Sequence, residues 1–170
     1  MKLILFFLLS LYSHSTFSQP AKSPCKTDSL YRQFDFWIGE WEVFGLNGKK
    51  AGDSKIEMIL DSCIILENWK SAAGVYSGKS FNTYNAATRQ WQQTWVDNFG
   101  GTTEYLEGKY ENNKMIFLTK PFDFSKDTIA VRKLTFYNIS LERVRQHAEI
   151  TKDNGSTWKT EYDLEYRRKR

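Results

Sequence analysis

The feature that most constrains the fold of this sequence is an alternation of apolar and polar residues with a period of two. In the last segment, Trp158, Thr160 and Tyr162 alternate with Lys159 and Glu161. Successive side chains of a β-strand point to opposite faces, so this period predicts strands and places the first three residues on one face. We expect that face to be the interior.

Similar segments follow one another from Trp37 to Tyr166 and give about ten short strands, spaced roughly 8–14 residues apart. Turn residues separate them. Asn47-Gly48 predicts a type I′ hairpin, and the stretch 120–128, which contains Pro121, is expected to be irregular. Short strands joined by turns predict a sandwich or a barrel.

A barrel is favoured because amides occur among the aromatic residues of the inward faces. Gln93, Asn138 and Gln146 are the examples. Unpaired amides are costly in a dry sandwich core, whereas a barrel that holds water or a ligand can use them. We therefore predict an all-β domain over residues 29–168, a single antiparallel up-and-down β-barrel.

A short helix is predicted before the barrel, over about residues 29–36. Thr27 or Asp28 can cap it, and Leu30, Phe34 and Trp37 form an apolar stripe along it. The polar residues 19–28 form a lead-in to this helix.

Residues 1–18 have the pattern of a signal peptide. Lys2 precedes the apolar run 3–11, and small residues follow at 16–18. The apolar run is too short to span a bilayer. We therefore expect a secreted or periplasmic protein with no integral membrane segment after signal removal. An uncleaved N-terminal anchor is the alternative.

Charge and histidine content exclude several classes of function. Without residues 1–18 the chain has 23 basic and 20 acidic residues, and this small, dispersed excess argues against nucleic acid as a partner. His147 is then the one remaining histidine, so a multi-histidine metal site cannot form within one subunit. The alternation places His147 outside the barrel, which argues against its ligating haem. No metal and no cofactor are predicted.

Two cysteines remain after signal removal, Cys25 and Cys63. In an oxidising compartment a structural disulfide is the leading interpretation. A free buried Cys63 with an exposed Cys25 is the alternative. A catalytic thiol would have to use His147 as its base.

The predicted interior carries a candidate ligand-binding set. Aromatic residues and amides that share the inward faces supply both apolar contact area and hydrogen bonds. The candidates are Trp91, Gln93, Trp95, Asn138, Gln146 and Tyr162. The alternative is that they simply fill the barrel. The leading hypothesis is binding of a small apolar or amphipathic molecule.

Two other classes of function stay open. Glu67, Asp97 and Glu104 could supply paired carboxylates for a hydrolase or isomerase acting on a sugar or lipid, although no catalytic residue is assigned. A structural or protein-interaction role without a ligand would be favoured by an exposed apolar patch near residues 121–124.

Several blocks of the chain resemble an uncharacterised bacterial family of lipocalin-like proteins, grouped as domain of unknown function 1579 or a close relative. They are residues 34–43 (FDFWIGEWEV), 67–69 (ENW), 91–97 (WQQTWVD), 153–158 and 166–168. This family has no established activity to carry over.

Gly39-Glu40-Trp41 also resembles the G-x-W signature of calycins. That resemblance implies that Trp41 stacks against Arg168 or Arg167 of the last strand, in a structural cation–π contact.

The segment 151–158 (TKDNGSTW) resembles the Asp-box of sialidases and other β-proteins. It predicts a folded hairpin in which Asp153 accepts hydrogen bonds from turn amides, Gly155 takes a positive φ, and Trp158 packs beneath the turn. This motif is structural and does not indicate glycosidase chemistry.

Overall fold

The computed structural model describes residues 23–170, so the predicted signal peptide and the start of the lead-in, residues 19–22, lie outside the described residues. Within the described part the chain forms a short helical segment followed by antiparallel strands. The strands are β1 (Gly39–Gly45), β2 (Lys50–Ile59), β3 (Ile64–Ser71), β4 (Ser77–Asn85), β5 (Gln90–Asp97), β6 (Thr102–Glu111), β7 (Lys114–Thr119), β8 (Phe122–Ser125), β9 (Thr128–Ser140), β10 (Arg143–Thr151) and β11 (Lys159–Arg168).

Ten of these strands close into a barrel. Neighbours in sequence pair from β1 to β7, β7 pairs with β9, and β9, β10 and β11 continue the sheet. The pairing of β11 with β1 closes it, with Trp41 opposite Arg168. Among the described strands, β8 pairs with β9 alone and lies outside the ring. The predicted all-β, antiparallel barrel of about ten strands is confirmed.

Two local predictions about the connections are wrong. Residues 122–125, expected to be irregular, form β8 by pairing with the start of β9. At Asn47-Gly48, only Gly48 has a positive φ, +74°, and its amide donates to Gly45 O. This geometry is a type I turn followed by a glycine bulge, because a type I′ turn needs positive φ at both central residues.

The predicted helix is also shorter and tighter than expected. The segment Pro24–Thr27 forms one turn of α-helix, α1, and Ser29–Arg32 and Asp35–Trp37 form two 3₁₀ turns. A 3₁₀ turn has three residues per turn, so residues i and i+3 lie on the same side. This geometry directs both Phe34 and Trp37 into one end of the barrel.

Phe34 and Trp37 form an aromatic plug, and both are fully buried. Their rings stack with centroids 5.0 Å apart, and the Trp37 ring lies 4.5 Å from that of Phe136. The turns β2–β3, β4–β5, β6–β7 and β9–β10 surround this closed end. Trp91 also belongs here, with its ring centroid 5.9 Å from that of Phe34.

A disulfide fixes the plug segment to the barrel. Cys25 of α1 is bonded to Cys63, which precedes β3, with a sequence separation of 38. The predicted bridge is confirmed. Arg32 adds a second link, because its Nη2 donates to Ser62 O at 2.7 Å.

Replacing both cysteines, Cys25→Ser with Cys63→Ser, should lower the free energy of unfolding by about 3–4 kcal/mol, because the unfolded chain regains the entropy of a closed loop. Urea denaturation measures this, with the reduced wild type as a control that should show a similar loss. A loss below about 1 kcal/mol in both would contradict an anchoring role for the bridge.

The G-x-W residues cap the same end of the barrel. The Arg168 guanidinium lies over the Trp41 ring, 4.3 Å from its centroid, and donates to Leu141 O and Ile38 O. Gly39 has φ +142°, and a Cβ built on it would overlap Nη1 of Arg168. Glycine is therefore needed at this position both for its backbone conformation and for space.

Gly39→Ala should destabilise the protein by at least about 2 kcal/mol, because it adds backbone strain and displaces a guanidinium held by three contacts. The matched control is Gly74→Ala. Gly74 also has a positive φ, but a Cβ built on it has no atom within 4 Å. Thermal or urea unfolding should show the smaller loss in the control. Equal losses would mean that contact with Arg168 has no part in the effect.

The Asp-box segment folds as a hairpin turn at the opposite, open end. Asp153 Oδ1 accepts from the Thr157 amide at 2.9 Å, and Gly155 has φ +87°. Hydrogen bonds from Thr157 and Thr151 lower the pKa of Asp153 to about 2.

A bulge in β11 reverses the predicted faces of its first residues. Ala148 pairs with Tyr162 but Glu149 pairs with Thr160, so Glu161 is an extra residue. Thr160 consequently lies outside, with its Oγ1 3.0 Å from His147 Nε2, and the prediction that Thr160 faces the interior is wrong. Trp158 also lies outside, with Lys133 Nζ 4.1 Å from the centroid of its ring, so the prediction that Trp158 faces the interior is wrong as well.

Candidate functional site

A cavity of about 460 Å³ occupies the open half of the barrel, at the end away from the plug. Aromatic side chains form much of its wall, and a smaller set of polar groups is placed among them. The aromatic residues are Trp69, Tyr76, Trp95, Tyr105, Tyr162 and Tyr166. The volume lies within the range of about 300–1,000 Å³ that is typical of small-molecule sites.

The two indoles of the wall lie against glycines of neighbouring strands. A Cβ on Gly52 would overlap the Trp69 ring, and a Cβ on Gly78 would overlap the Trp95 ring. Each glycine therefore lets a large ring lie close to the sheet. This close packing leaves the centre of the barrel open.

Four of the six predicted ligand-binding candidates line this cavity: Gln93, Trp95, Gln146 and Tyr162. Tyr162 is 40% exposed although it points inward, since the cavity opens to solvent.

The other two candidates are not among the cavity-lining residues. Trp91 packs against the plug, and its Nε1 donates to Gln33 Oε1 at 3.1 Å. Asn138 is half-buried near the β9–β10 turn, where its backbone N–H donates to the backbone carbonyl of Asn113. Both lie toward the closed end of the barrel, a position along the strand that alternation alone does not specify.

The floor of the cavity carries a buried carboxyl group, Glu67 of β3, which is only 3% exposed. Its Oε1 accepts from Ser54 Oγ at 2.8 Å and from the Tyr166 hydroxyl at 3.3 Å, and its Oε2 accepts from Ser80 Oγ at 3.0 Å. All three partners are neutral. Within residues 23–170, no cation forms an ion pair with Glu67.

Burial raises the pKa of Glu67 to about 7, and the three hydroxyl donors offset only part of this effect. Desolvation disfavours the charged form of a carboxyl group, and here no positive charge compensates. The pKa of the Tyr166 hydroxyl is also raised well above its usual value, by burial and by the proximity of Glu67.

A chain of side-chain hydrogen bonds extends from Glu67 to both amides of the wall. On one side, Asn82 Nδ2 donates to Ser80 Oγ at 3.0 Å, and Gln93 Nε2 donates to Asn82 Oδ1 at 2.7 Å. On the other side, the Tyr166 hydroxyl lies 2.8 Å from Gln146 Oε1. The bonds of Asn82 to Ile65 O and Ser80 fix the Gln93 amide and leave Gln93 Oε1 without a hydrogen bond among the described residues. The one Tyr166 hydroxyl proton goes either to Gln146 Oε1 or to Glu67 Oε1, and the shorter distance favours Gln146, whose Nε2 then has no partner among the described residues.

The charged side chains at the mouth of the cavity already have hydrogen-bond or ion-pair partners. Arg132 Nε lies 3.1 and 2.9 Å from the two oxygens of Glu161, the residue that the β11 bulge brings to the cavity. Asp97 accepts from the amides of Phe99 and Gly101, and these bonds lower its pKa.

The three carboxylates considered for catalysis are not equivalent. Glu67 is on the floor and Asp97 is at the mouth, whereas Glu104 is exposed and is not among the cavity-lining residues. The alternation Ile65-Glu67-Trp69, which puts an acid on an apolar inward face, is the sequence signal that sets Glu67 apart.

His147 lies outside the barrel, as its alternation predicts. Among residues 23–170 no group of three or more potential metal-ligating side chains is found. No helix in that range has the length and apolar character needed to cross a membrane.

The fold is that of a calycin-like barrel, and its open half contains an internal cavity. The chain matches no family model, and no curated protein matches it at a significant level.

Glu67→Gln should change the pH dependence of stability. Between about pH 4.5 and 7 the unfolded chain releases the Glu67 proton while the folded protein keeps it, so wild-type stability falls as pH rises and levels off above about 7. A shift of one pKa unit corresponds to about 1.4 kcal/mol. The free energy of unfolding of the variant, relative to that of the wild type, should therefore increase by about 3 kcal/mol as the pH rises across this window.

Urea denaturation at a series of pH values measures this gain. Glu104→Gln, an exposed change from Glu to Gln, is the matched control and should track the wild type. A pH-independent difference between Glu67→Gln and wild type would show that Glu67 ionises normally in the folded state.

Proposed function

We propose that this protein is an extracytoplasmic binding protein that holds a small amphipathic molecule inside its barrel. The observation that carries the proposal is the cavity of about 460 Å³, in which an aromatic wall surrounds a small set of polar side chains, Glu67, Gln93 and Gln146. A barrel built only for stability would fill this space with side chains, because voids cost packing energy.

The wall and the floor suit an amphipathic rather than a purely apolar ligand. The rings of Trp69, Trp95 and Tyr162 offer apolar contact near the mouth. Gln93 Oε1 and Gln146 Nε2 offer an acceptor and a donor deeper in the barrel. A few polar groups in a mostly apolar pocket orient a ligand and give it specificity.

The extracytoplasmic location is part of the same proposal. It is supported by the signal-peptide pattern of residues 1–18 and by the Cys25–Cys63 bridge, a bond that persists in oxidising compartments. Membership of the domain of unknown function 1579 group is likewise proposed, on the sequence blocks that resemble it.

A second candidate function is an enzyme that uses Glu67 as a general acid or base. A carboxyl group with a pKa of about 7 in a cavity has the proton affinity that such a role requires at neutral pH. A paired-carboxylate mechanism would have to use Asp97 or Glu161 as the second group, because Glu104 is not at the cavity. Asp97 accepts hydrogen bonds from backbone amides and Glu161 is paired with Arg132, and these contacts favour structural roles for both, so binding remains the stronger proposal.

Filling the cavity should abolish binding. Thr103→Trp places an indole in the cavity from β6, and Glu104→Trp places the same residue at the exposed neighbouring position. With phenylnaphthylamine as a fluorescent apolar probe, the wild type and Glu104→Trp should bind alike, and Thr103→Trp should bind at least about tenfold more weakly. Equal binding by all three would place the probe outside the barrel and overturn the proposal.

A further inference from the structure

We propose that the ligand of this cavity carries a protonated amine, and that the amine binds to the carboxylate of Glu67. This inference rests on the proposed binding function and specifies its ligand class. It begins from the geometry of the floor, where an acidic side chain is almost completely removed from water and faces an open cavity.

Glu67 has room for one further donor. An ionised carboxylate offers about four acceptor positions. Ser54 occupies one on Oε1 and Ser80 occupies one on Oε2, while the single Tyr166 proton serves either Oε1 or Gln146 Oε1. At least one position, on Oε2, therefore remains, and an N–H group of the ligand can occupy it.

The charges around the cavity favour a cation. The acidic residues of the wall are Glu67, Asp97 and Glu161, and its one basic residue, Arg132, is paired with Glu161. With Glu67 ionised, the net charge of the wall is therefore −2. An anionic ligand such as a fatty acid would meet this charge and find no free cation to bind it.

The aromatic wall favours the same class of ligand. The face of a Trp or Tyr ring attracts a cation within about 6 Å of its centroid. Tyr76 and Trp95 line the cavity with their ring centroids 6.3 Å apart, and Tyr105, Tyr162 and Tyr166 line it as well. A protonated amine can therefore leave water with partial compensation from the rings before it reaches the carboxylate.

Binding should be coupled to a proton. The titratable or charged groups around the cavity are Tyr76, Asp97, Tyr105, Arg132, Glu161, Tyr162 and Tyr166, besides Glu67 itself. Asp97 has a lowered pKa, the pKa values of Tyr76, Tyr105, Tyr162 and Tyr166 are raised, and burial raises the pKa of Glu67 to about 7. Of these shifted groups, Glu67 is the one whose ionisation changes near neutral pH, and a bound ammonium group would favour release of its proton.

Three probes of similar size test the charge preference: phenethylamine, phenethyl alcohol and phenylacetate, titrated calorimetrically at about pH 8. The amine should bind at least about tenfold more tightly than the alcohol, and the anion more weakly than the alcohol. In Glu67→Gln the preference for the amine should fall to within about threefold, while Glu104→Gln should keep it. An amine that binds no more tightly than the alcohol, or a preference that survives in Glu67→Gln, overturns the inference.

A pH series on the wild type gives an answer even if Glu67→Gln does not fold. The affinity for phenethylamine should fall at least about tenfold between about pH 8 and pH 5.5, while the affinity for phenethyl alcohol stays constant. Parallel behaviour of the two probes overturns the inference. A third outcome separates the two proposals. If phenethyl alcohol binds, Thr103→Trp abolishes this binding, and the wild type does not prefer the amine, then the binding function stands and the amine assignment fails. If none of the probes binds, both fail.

Discussion

The packing of Phe34 and Trp37 into one end of the barrel is the constraint on which the rest of the structure depends. A ten-stranded barrel has more interior volume than its own inward side chains fill. The stacked rings occupy the closed half, and the Cys25–Cys63 bridge holds the segment that carries them. The open half therefore remains a cavity, with a stable core directly beneath it.

This division lets one interior serve two purposes. At the closed end, Trp41, Tyr166 and the plug make a dry aromatic core beneath the Arg168 cap. At the open end, Glu67 is kept out of water without a counter-charge, and this burial costs stability wherever the group is ionised. Residues that reduce stability in this way cluster at functional sites, and the cost of Glu67 is itself an argument that the cavity has a use.

Much of the architecture was predictable because it depends on local periodicity. The alternation identified the strands, and it placed Gln93, Trp95, Gln146 and Tyr162 on the inner face, where they line the cavity. It could not distinguish these residues from Trp91, which shares their face but lies against the plug. Side-chain direction repeats every two residues, whereas depth along the barrel depends on strand tilt and on which end is closed.

The amino-acid sequence by itself determined the ten strands of the barrel and most of the inward aromatic residues, and it favoured the Cys25–Cys63 bridge, because these follow from periodicity and composition. The tertiary structure decided the rest: the β11 bulge that brings Glu161 to the mouth, the pairing that forms β8, and the gathering of Ser54, Ser80 and Tyr166 around Glu67. These residues come from four different strands. Closure of the sheet through β11 and β1 brings Tyr166 to Glu67, a contact between residues 99 positions apart that no local pattern encodes.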